Sequence, residues 1–222
     1  MILRDAVSSL RGMFKLVSSD DVISDRLCAA ELKNAAIKLI KQQIDKRRLF
    51  SSDNIFTTIP CLEMIQVPLA ECCSYTSPCT IARSKVQIPK MGDSIYGPIV
   101  QKVSSIDGMV EFKYSDANRY VNYLQLYPEG KQKFFWKNNG YLYISDPNIE
   151  TIKLIAFFEE DVPLDMLACG ETLDCIPNPL DSDFKCPSYL MEDVLNIARD
   201  VILKTYKRSE QDNTENDKSE AK

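Results

Sequence analysis

Apolar positions recur with a helical period towards both ends of this chain and with a two-residue period through its middle. Leu3, Val7, Leu10 and Phe14 fall three or four residues apart, interleaved with Arg4, Asp5, Arg11 and Lys15. That spacing predicts a short amphipathic helix over residues 2–16, modestly weakened by Gly12. Ser18-Ser19-Asp20-Asp21 reads as a turn rich in capping oxygens, and Ser24-Asp25 offers an N-cap. The most regular segment follows, from Asp25 to Arg48. Cys28, Leu32, Ala35, Ala36 and Leu39 share one face, and Ile37, Ile40 and Ile44 widen the apolar arc towards half the circumference. Glu31, Asn34, Lys38, Lys41 and Asp45 lie on the polar side. So wide an arc suits packing against more than one neighbour, either within a bundle or in another subunit. Lys46-Arg47-Arg48 favours the negative pole of the helix dipole.

From Ile55 to Phe158 short runs rich in Ile, Val, Tyr, Phe and Thr alternate with turn signals, which predicts an antiparallel β domain. Val110 to Tyr114 follows the Asp107-Gly108 turn and should pair with Ile99 to Val103 as a hairpin. Asn139-Gly140, between Lys133–Lys137 and Tyr141–Ile144, is the strongest local hairpin signal. Ile152 to Phe158 reads as a closing strand, apolar on both faces. Pro60, Pro68, Pro89 and Pro98 should sit at edges, bulges or strand ends. A barrel or sandwich of about five to seven strands follows. Residues 159–187, with Pro163, Pro177, Pro179 and Pro187 among many acids, read as an extended connector. A last helix is expected over Ser188 to Lys207, with Leu190, Val194, Ile197, Val201 and Ile202 on one face. The expected fold is therefore α+β, with helices over 1–52, an antiparallel β domain over 53–158, the connector over 159–187 and a C-terminal helix over 188–208. The polar tail, 209–222, should be ordered only by a partner.

The chain's 222 residues, 45% of them apolar, are enough to bury a substantial core. Charge changes the picture more than composition does. Lys and Arg against Asp and Glu number ten and seven over residues 1–60, ten and nine over 61–158, and seven and sixteen over 159–222. An acidic C-terminal region disfavours wrapping on nucleic acid and suits a basic protein surface. No run approaches a membrane span, and Met1 to Asp5 does not open like a secretion signal, so the chain is expected in the cytoplasm where it is made. The eight cysteines are spaced irregularly and are expected to be reduced thiols.

The candidate chemistry is thin. The sequence has no histidine, which removes Ser-His-Asp and Cys-His nucleophiles and histidine metal triads. Its seven glycines form no GxGxxG, and Gly92 with Gly97 has the outer spacing of a phosphate loop but continues into Pro98-Ile99. Cys72, Cys73 and Cys79, or Cys169, Cys175 and Cys186, lack the C-x2-C pairs of a zinc site. Glu159, Glu160, Asp161, Asp165, Asp174, Asp181 and Asp183 read as a solvated connector rather than a cation site. Tyr120, Tyr123, Tyr127, Phe134, Phe135 and Trp136 interleave with Arg119, Lys131, Lys133 and Lys137, a pattern shared by single-strand stacking surfaces and ordinary β cores. No catalytic, cofactor or metal residue is expected, and the chain reads as a non-enzyme. The candidate subunit-contact residues are Leu32, Ala36, Leu39, Ile37, Ile40, Ile44, Val194, Ile197 and Val201.

Three stretches, Leu16 to Leu27, Glu31 to Phe50 (ELKNAAIKLIKQQIDKRRLF) and Ile55 to Val67 (IFTTIPCLEMIQV), resemble virion proteins of the crAss-like bacteriophages, in the structural set around the portal and tail. The resemblance implies a head-to-tail connector or tail ring subunit, a dodecamer around the DNA channel that serves DNA ejection. Its partners would be further copies of itself, the portal protein and neighbouring neck or tail rings, with non-specific contact to packaged DNA left open and no membrane. Its acidic C-terminal arm would dock on a neighbouring ring. The implied location is the virion, after synthesis in the host bacterial cytoplasm. The other reading is an intracellular phage-encoded protein-interaction or nucleic-acid-binding module.

Overall fold

The computed structural model describes residues 2–15, 23–46, 55–71, 79–126, 132–167 and 179–219. The chain divides into two compact units, one built from residues 1–55 with 176–222, the other from 56–175. The turn expected at Ser18 to Asp21 lies outside the described residues, as do Arg47, Arg48, Tyr127 and Lys131.

Three helices make the first unit: α1 (Leu3–Lys15), α2 (Asp25–Asp45) and α5 (Met191–Ser219), each in contact with the other two. Amphipathic spacing puts Leu3, Ala6, Val7, Leu10 and Phe14 of α1 in the interior. The side chain of Ser24 accepts a hydrogen bond from the Leu27 N–H, which satisfies one of the donors that an α-helix leaves free at its start. Arg11 clamps the entry to α2, pairing with Asp25 at 3.0 Å and donating to the Ile23 carbonyl at 2.9 Å. The segment before α5 is anchored on α1: the Leu3 N–H donates to the Ser182 carbonyl at 3.0 Å, and Arg4 pairs with Asp181. Helix α5 begins after a 3-10 turn over Ser188–Leu190 and runs to Ser219, well beyond the Lys207 end that apolar spacing predicts. Periodicity reads only apolar positions, and residues 207–219 have none.

The second unit is a barrel-like sheet of seven strands in the order β5-β9-β1-β2-β8-β7-β6, where β1 is Thr57–Pro68, β2 Thr80–Ser84, β5 Val100–Ser105, β6 Lys113–Tyr114, β7 Phe134–Asn138, β8 Tyr141–Ile144 and β9 Thr151–Ala156. A small separate hairpin pairs β3 (Asp93–Ser94) with β4 (Gly97–Pro98). Strand β1 turns the corner of the barrel. Its first half pairs with β9 and its second half with β2, and the register shifts between Ile59 and Leu62, around Pro60. A proline supplies no ladder donor, so a bulge is where it can sit inside a long strand. The turn at Asn139-Gly140 joins β7 to β8 with positive φ at both residues, 48° and 78°, the geometry whose twist matches a tight hairpin. The expected pairing of Val110–Tyr114 with Ile99–Val103 is present, carried by Phe112 N–H to the Val103 carbonyl and Ser105 N–H to the Val110 carbonyl. That same segment continues into β6 and pairs with β7, so it brings the two edges of the sheet nearly together.

The sheet is mostly antiparallel, as expected for the β domain over 53–158, with two local departures. The β6–β7 pairing is parallel, and α3 (Ala117–Leu126) interrupts the strands. Ala117, Tyr120, Val121 and Leu124 have helical spacing, but the density of aromatic and β-branched residues in this stretch favours a strand reading. A short helix, α4 (Leu164–Leu167), contacts β1.

The two faces of the sheet are packed differently. Inside, Ile59, Leu62, Phe112, Phe135, Leu142, Ile144, Ile152 and Leu154 belong to one buried cluster. Outside, α3 covers a second cluster in which Trp136 lies between Tyr120, at 4.8 Å between ring centroids, and Tyr143, at 6.0 Å. Strand alternation makes this division: Phe135 and Ile144 face inward while their neighbours Trp136 and Tyr143 face outward. Ser84, fully buried in the second strand, accepts the Leu142 N–H at 3.1 Å, which offsets the cost of its desolvation.

Candidate functional site

The nine candidate contact residues separate into two groups. Leu32, Ala36, Leu39, Ile40 and Val194 are buried within the folded chain, so intramolecular packing already covers them. Ile37, Ile44 and Ile197 are half-buried, and Val201 is 41% exposed. These four leave apolar surface on α2 and α5, where intramolecular packing stops short of the full apolar arc. Around them α2 carries charges of both signs. Over Asp25–Asp45 it carries four cationic side chains, Arg26, Lys33, Lys38 and Lys41, against Asp25, Glu31 and Asp45, with Lys46 at its C-cap.

Exposed apolar residues that periodicity does not single out occur in the β unit, at turns. Ile95 and Tyr96 form the tip between β3 and β4, and Ile106 and Met109 flank the turn after β5, with Met109 85% exposed. A lone apolar residue in a turn belongs to no periodic run, so the signal available was the turn chemistry of Asp107-Gly108 itself. Asp107 organises that turn: its carboxylate accepts the Ser105 hydroxyl and the Met109 N–H, and these bonds hold its pKa below the usual range.

The stretches weighed for chemistry are occupied structurally. Trp136 and Tyr120 are buried against each other, so neither ring offers a free face for a nucleobase. The cations beside them are paired: Lys133 with Asp146, Lys137 with Asp93 at 2.9 Å, and Arg119 with Asp116. Arg83 lies 4.5 Å from the centre of the Tyr141 ring and pairs with Glu71. In the acidic connector, Glu159 pairs with Lys90 at 2.9 Å and Asp181 with Arg4 at 2.8 Å. Among the described residues no group of three or more Cys, Asp or Glu side chains gathers as a metal site. Cys72, Cys73, Cys169, Cys175 and Asp174 lie outside the described residues.

The thiols need one correction. Cys61, in β1, is disulfide-bonded, against the expectation of reduced cysteines. Pairing depends on which cysteines the fold brings within bridging distance, and irregular spacing along a chain does not reveal it. Cys28 and Cys186 are free and buried. Burial raises the pKa of both, that of Cys186 to about 11, which makes them packing groups and not nucleophiles. Burial also acts on Tyr114, whose phenol donates to Asp116 at 3.0 Å and has its pKa pushed to about 12.

What these residues build is a pair of packed units with partly open helix faces, the pattern of a protein that assembles with others. The chain belongs to the phage tail ring protein 2 family of the crAss-like phages, whose family model it matches over residues 7–221. No curated protein matches it. It is a structural component of a bacteriophage tail and hence of the virion, and membership of a ring family means oligomeric assembly with other tail proteins. Among the described residues no helix is long and apolar enough to cross a membrane.

Proposed function

We propose that this chain is a subunit of a neck or tail ring in the head-to-tail connector, stacked beside the portal and lining part of the channel through which DNA is ejected. The observation that carries the reading is the family match across nearly the whole chain. The half-exposed apolar residues Ile37 and Ile44 on α2, with Ile197 and Val201 on α5, support lateral packing between copies. The nearly closed β unit supplies a rigid wall. On the order of twelve copies would complete the ring, by likeness to the adaptor rings of other short-tailed phages. The chain performs no catalysis in this role: its function is to hold geometry.

Mass spectrometry of purified phage particles, with cryo-electron microscopy of the portal region, tests this directly. A ring of this chain between portal and tail is the expected result. Absence from the particle, or a position remote from the portal axis, would reject the connector reading.

A further inference from the structure

Helix α2 carries two strips of regular spacing, on opposite sides. The buried one, running through Cys28, Leu32, Ala35 and Leu39, packs against α1 and α5 within the helical unit. On the other side Leu27, Ala30, Asn34, Ile37, Lys41 and Ile44 succeed one another at alternating intervals of three and four residues, and none of the six is buried. Leu27 is 36% exposed, and Ala30 and Asn34 are exposed. At about 3.6 residues per turn these positions form one narrow strip along the helix. Alternating intervals of three and four are the seam along which one helix meets a second helix over its whole length.

The residues of the strip say which helix fits it. Laid antiparallel on a copy of itself, about a two-fold axis passing between Ala35 and Ala36, α2 sets Leu27 against Ile44 of the second copy, Ala30 against Lys41 and Asn34 against Ile37. The two-fold axis makes each of these pairings twice. The small Ala30 leaves room for the apolar stem of Lys41, whose ammonium then reaches past it to water. Beside the strip the same register brings Glu31 to Lys38 of the second copy, and Lys38 to its Glu31. Among the described residues neither has an ion pair within its own chain. A parallel pairing is disfavoured by the same side chains, because it would set Lys41 on Lys41 in the seam and Lys33 beside Lys38. The mixed charge of α2 is therefore self-complementary in one direction only.

We propose that the free chain forms a two-fold dimer through this outer strip of α2, antiparallel, with Glu31 and Lys38 paired across it. The same patch serves on both copies, so the contact is complete with two copies and builds no ring by itself. The dimer goes beyond the ring reading and does not depend on it. It covers Ile37 and Ile44 in the unassembled chain, and it has to open before those residues can serve a contact within a ring.

The test is sedimentation velocity of the full-length chain over a concentration series, where a concentration-dependent dimer is expected. Glu31→Lys and Lys38→Glu each set like charges at both crossing points and should raise the dissociation constant by about tenfold or more. Mixed in equal amounts, the two single variants should recover the dimer, because one then carries two cations beside the strip and the other two acids. That recovery separates lost complementarity from misfolding. In a mixture of unlabelled and heavy-isotope-labelled parent chain, a zero-length carbodiimide reagent should join Glu31 to Lys38 in mixed-label peptides. A chain that stays monomeric throughout, a dimer that neither variant weakens, or mixed-label links only at other residues would overturn the proposal. None of these outcomes touches the ring reading, which is decided by the place of the chain in purified particles.

Discussion

The β unit and the helical unit solve the burial problem in opposite ways. The sheet turns back on itself, so one strand segment, residues 110–114, meets both of its edges and the interior fills with side chains from strands and loops spread between Ile59 and Val162. Its most exposed apolar residues lie in turns, at Ile95-Tyr96 and Ile106–Met109, while Ile65 of β1 and Tyr114 of β6 are exposed to a smaller degree within strands. The helical unit draws on two distant stretches of chain, and its open apolar positions fall along helix faces: Ile37 and Ile44 on α2, Ile197 and Val201 on α5. A sheet that nearly closes satisfies its own backbone and resists further pairing at its edges. A three-helix unit has no such closure and can pass part of its packing to a neighbour. The proposed role draws on this difference, with rigidity coming from one unit and assembly from the other.

Trp136→Ala should have the largest effect. It removes the ring held between Tyr120 and Tyr143 and should destabilise the β unit by about 3–5 kcal/mol. Near-ultraviolet circular dichroism of the tyrosines should report the loss while far-ultraviolet helix signal persists. If both signals shift together, the two units unfold as one and the contrast between them fails. The reverse experiment is Leu32→Ala, in a fully buried position of α2, expected to cost the helical unit about 2–5 kcal/mol. Trp136 is the sole tryptophan, so fluorescence of this variant follows the β unit alone. Helix ellipticity should be lost at lower denaturant while the fluorescence midpoint stays in place.

How far the sequence discloses each unit follows from the range of the forces involved. The Asn139-Gly140 hairpin, the Ser24 cap, the bulge at Pro60 and the spacing of α1 and α2 are local, and each is legible from neighbouring residues. The corner made by β1, the parallel β6–β7 pair and the Cys61 disulfide depend on residues far apart in sequence, which no local pattern encodes. Helix α3 was hidden because its aromatic residues serve helix and strand equally well until their partners are known. In the candidate site, periodicity correctly groups Leu32, Ala36 and Ile40 with Ile37 and Ile44 on one wide arc, but only burial separates what the chain covers from what it leaves open.

Gly92→Ala sharpens the same contrast at a smaller scale. A Cβ at this buried position would fall inside van der Waals contact of the Phe157 ring and press on the Ile99 side chain. Phe157 is itself buried, so it cannot swing away freely, and the overpacking should cost about 1–3 kcal/mol. Gly12 of α1 has nothing within 4 Å of the equivalent position. Gly12→Ala should therefore stabilise the helical unit by up to about 1 kcal/mol, through helix propensity alone. Thermal unfolding of the two variants should move in opposite directions.

The smallest effects expected are electrostatic, and the larger of two lies at the open end of the β7–β8 hairpin. Lys133 donates to the Asp146 carboxylate there, the Asn148 N–H donates to its other oxygen at 3.1 Å, and the backbone bond from Ser145 N–H to the Phe134 carbonyl closes the ladder beside them. Burial tends to raise the Asp146 pKa, but the Lys133 ammonium and the Asn148 N–H outweigh it and hold the carboxyl below its ordinary value. A carboxylate whose pKa is depressed by folding contributes stability that is fully present above its unfolded pKa, near about 3.9, and is lost as pH falls through the lower folded value. Lys133 is more than a third exposed, so solvent screening keeps the contribution under about 1 kcal/mol. Asp146→Asn should therefore lower the Trp136 fluorescence midpoint slightly at neutral pH, and the gap from the parent chain should close as pH drops below about 4. The Arg4–Asp181 pair of the helical unit is more exposed on both sides, and Asp181→Asn should change stability by no more than about 0.5 kcal/mol. A larger loss from Asp181→Asn than from Asp146→Asn would place the stronger electrostatic clamp in the unit assigned to assembly and would count against the division of roles.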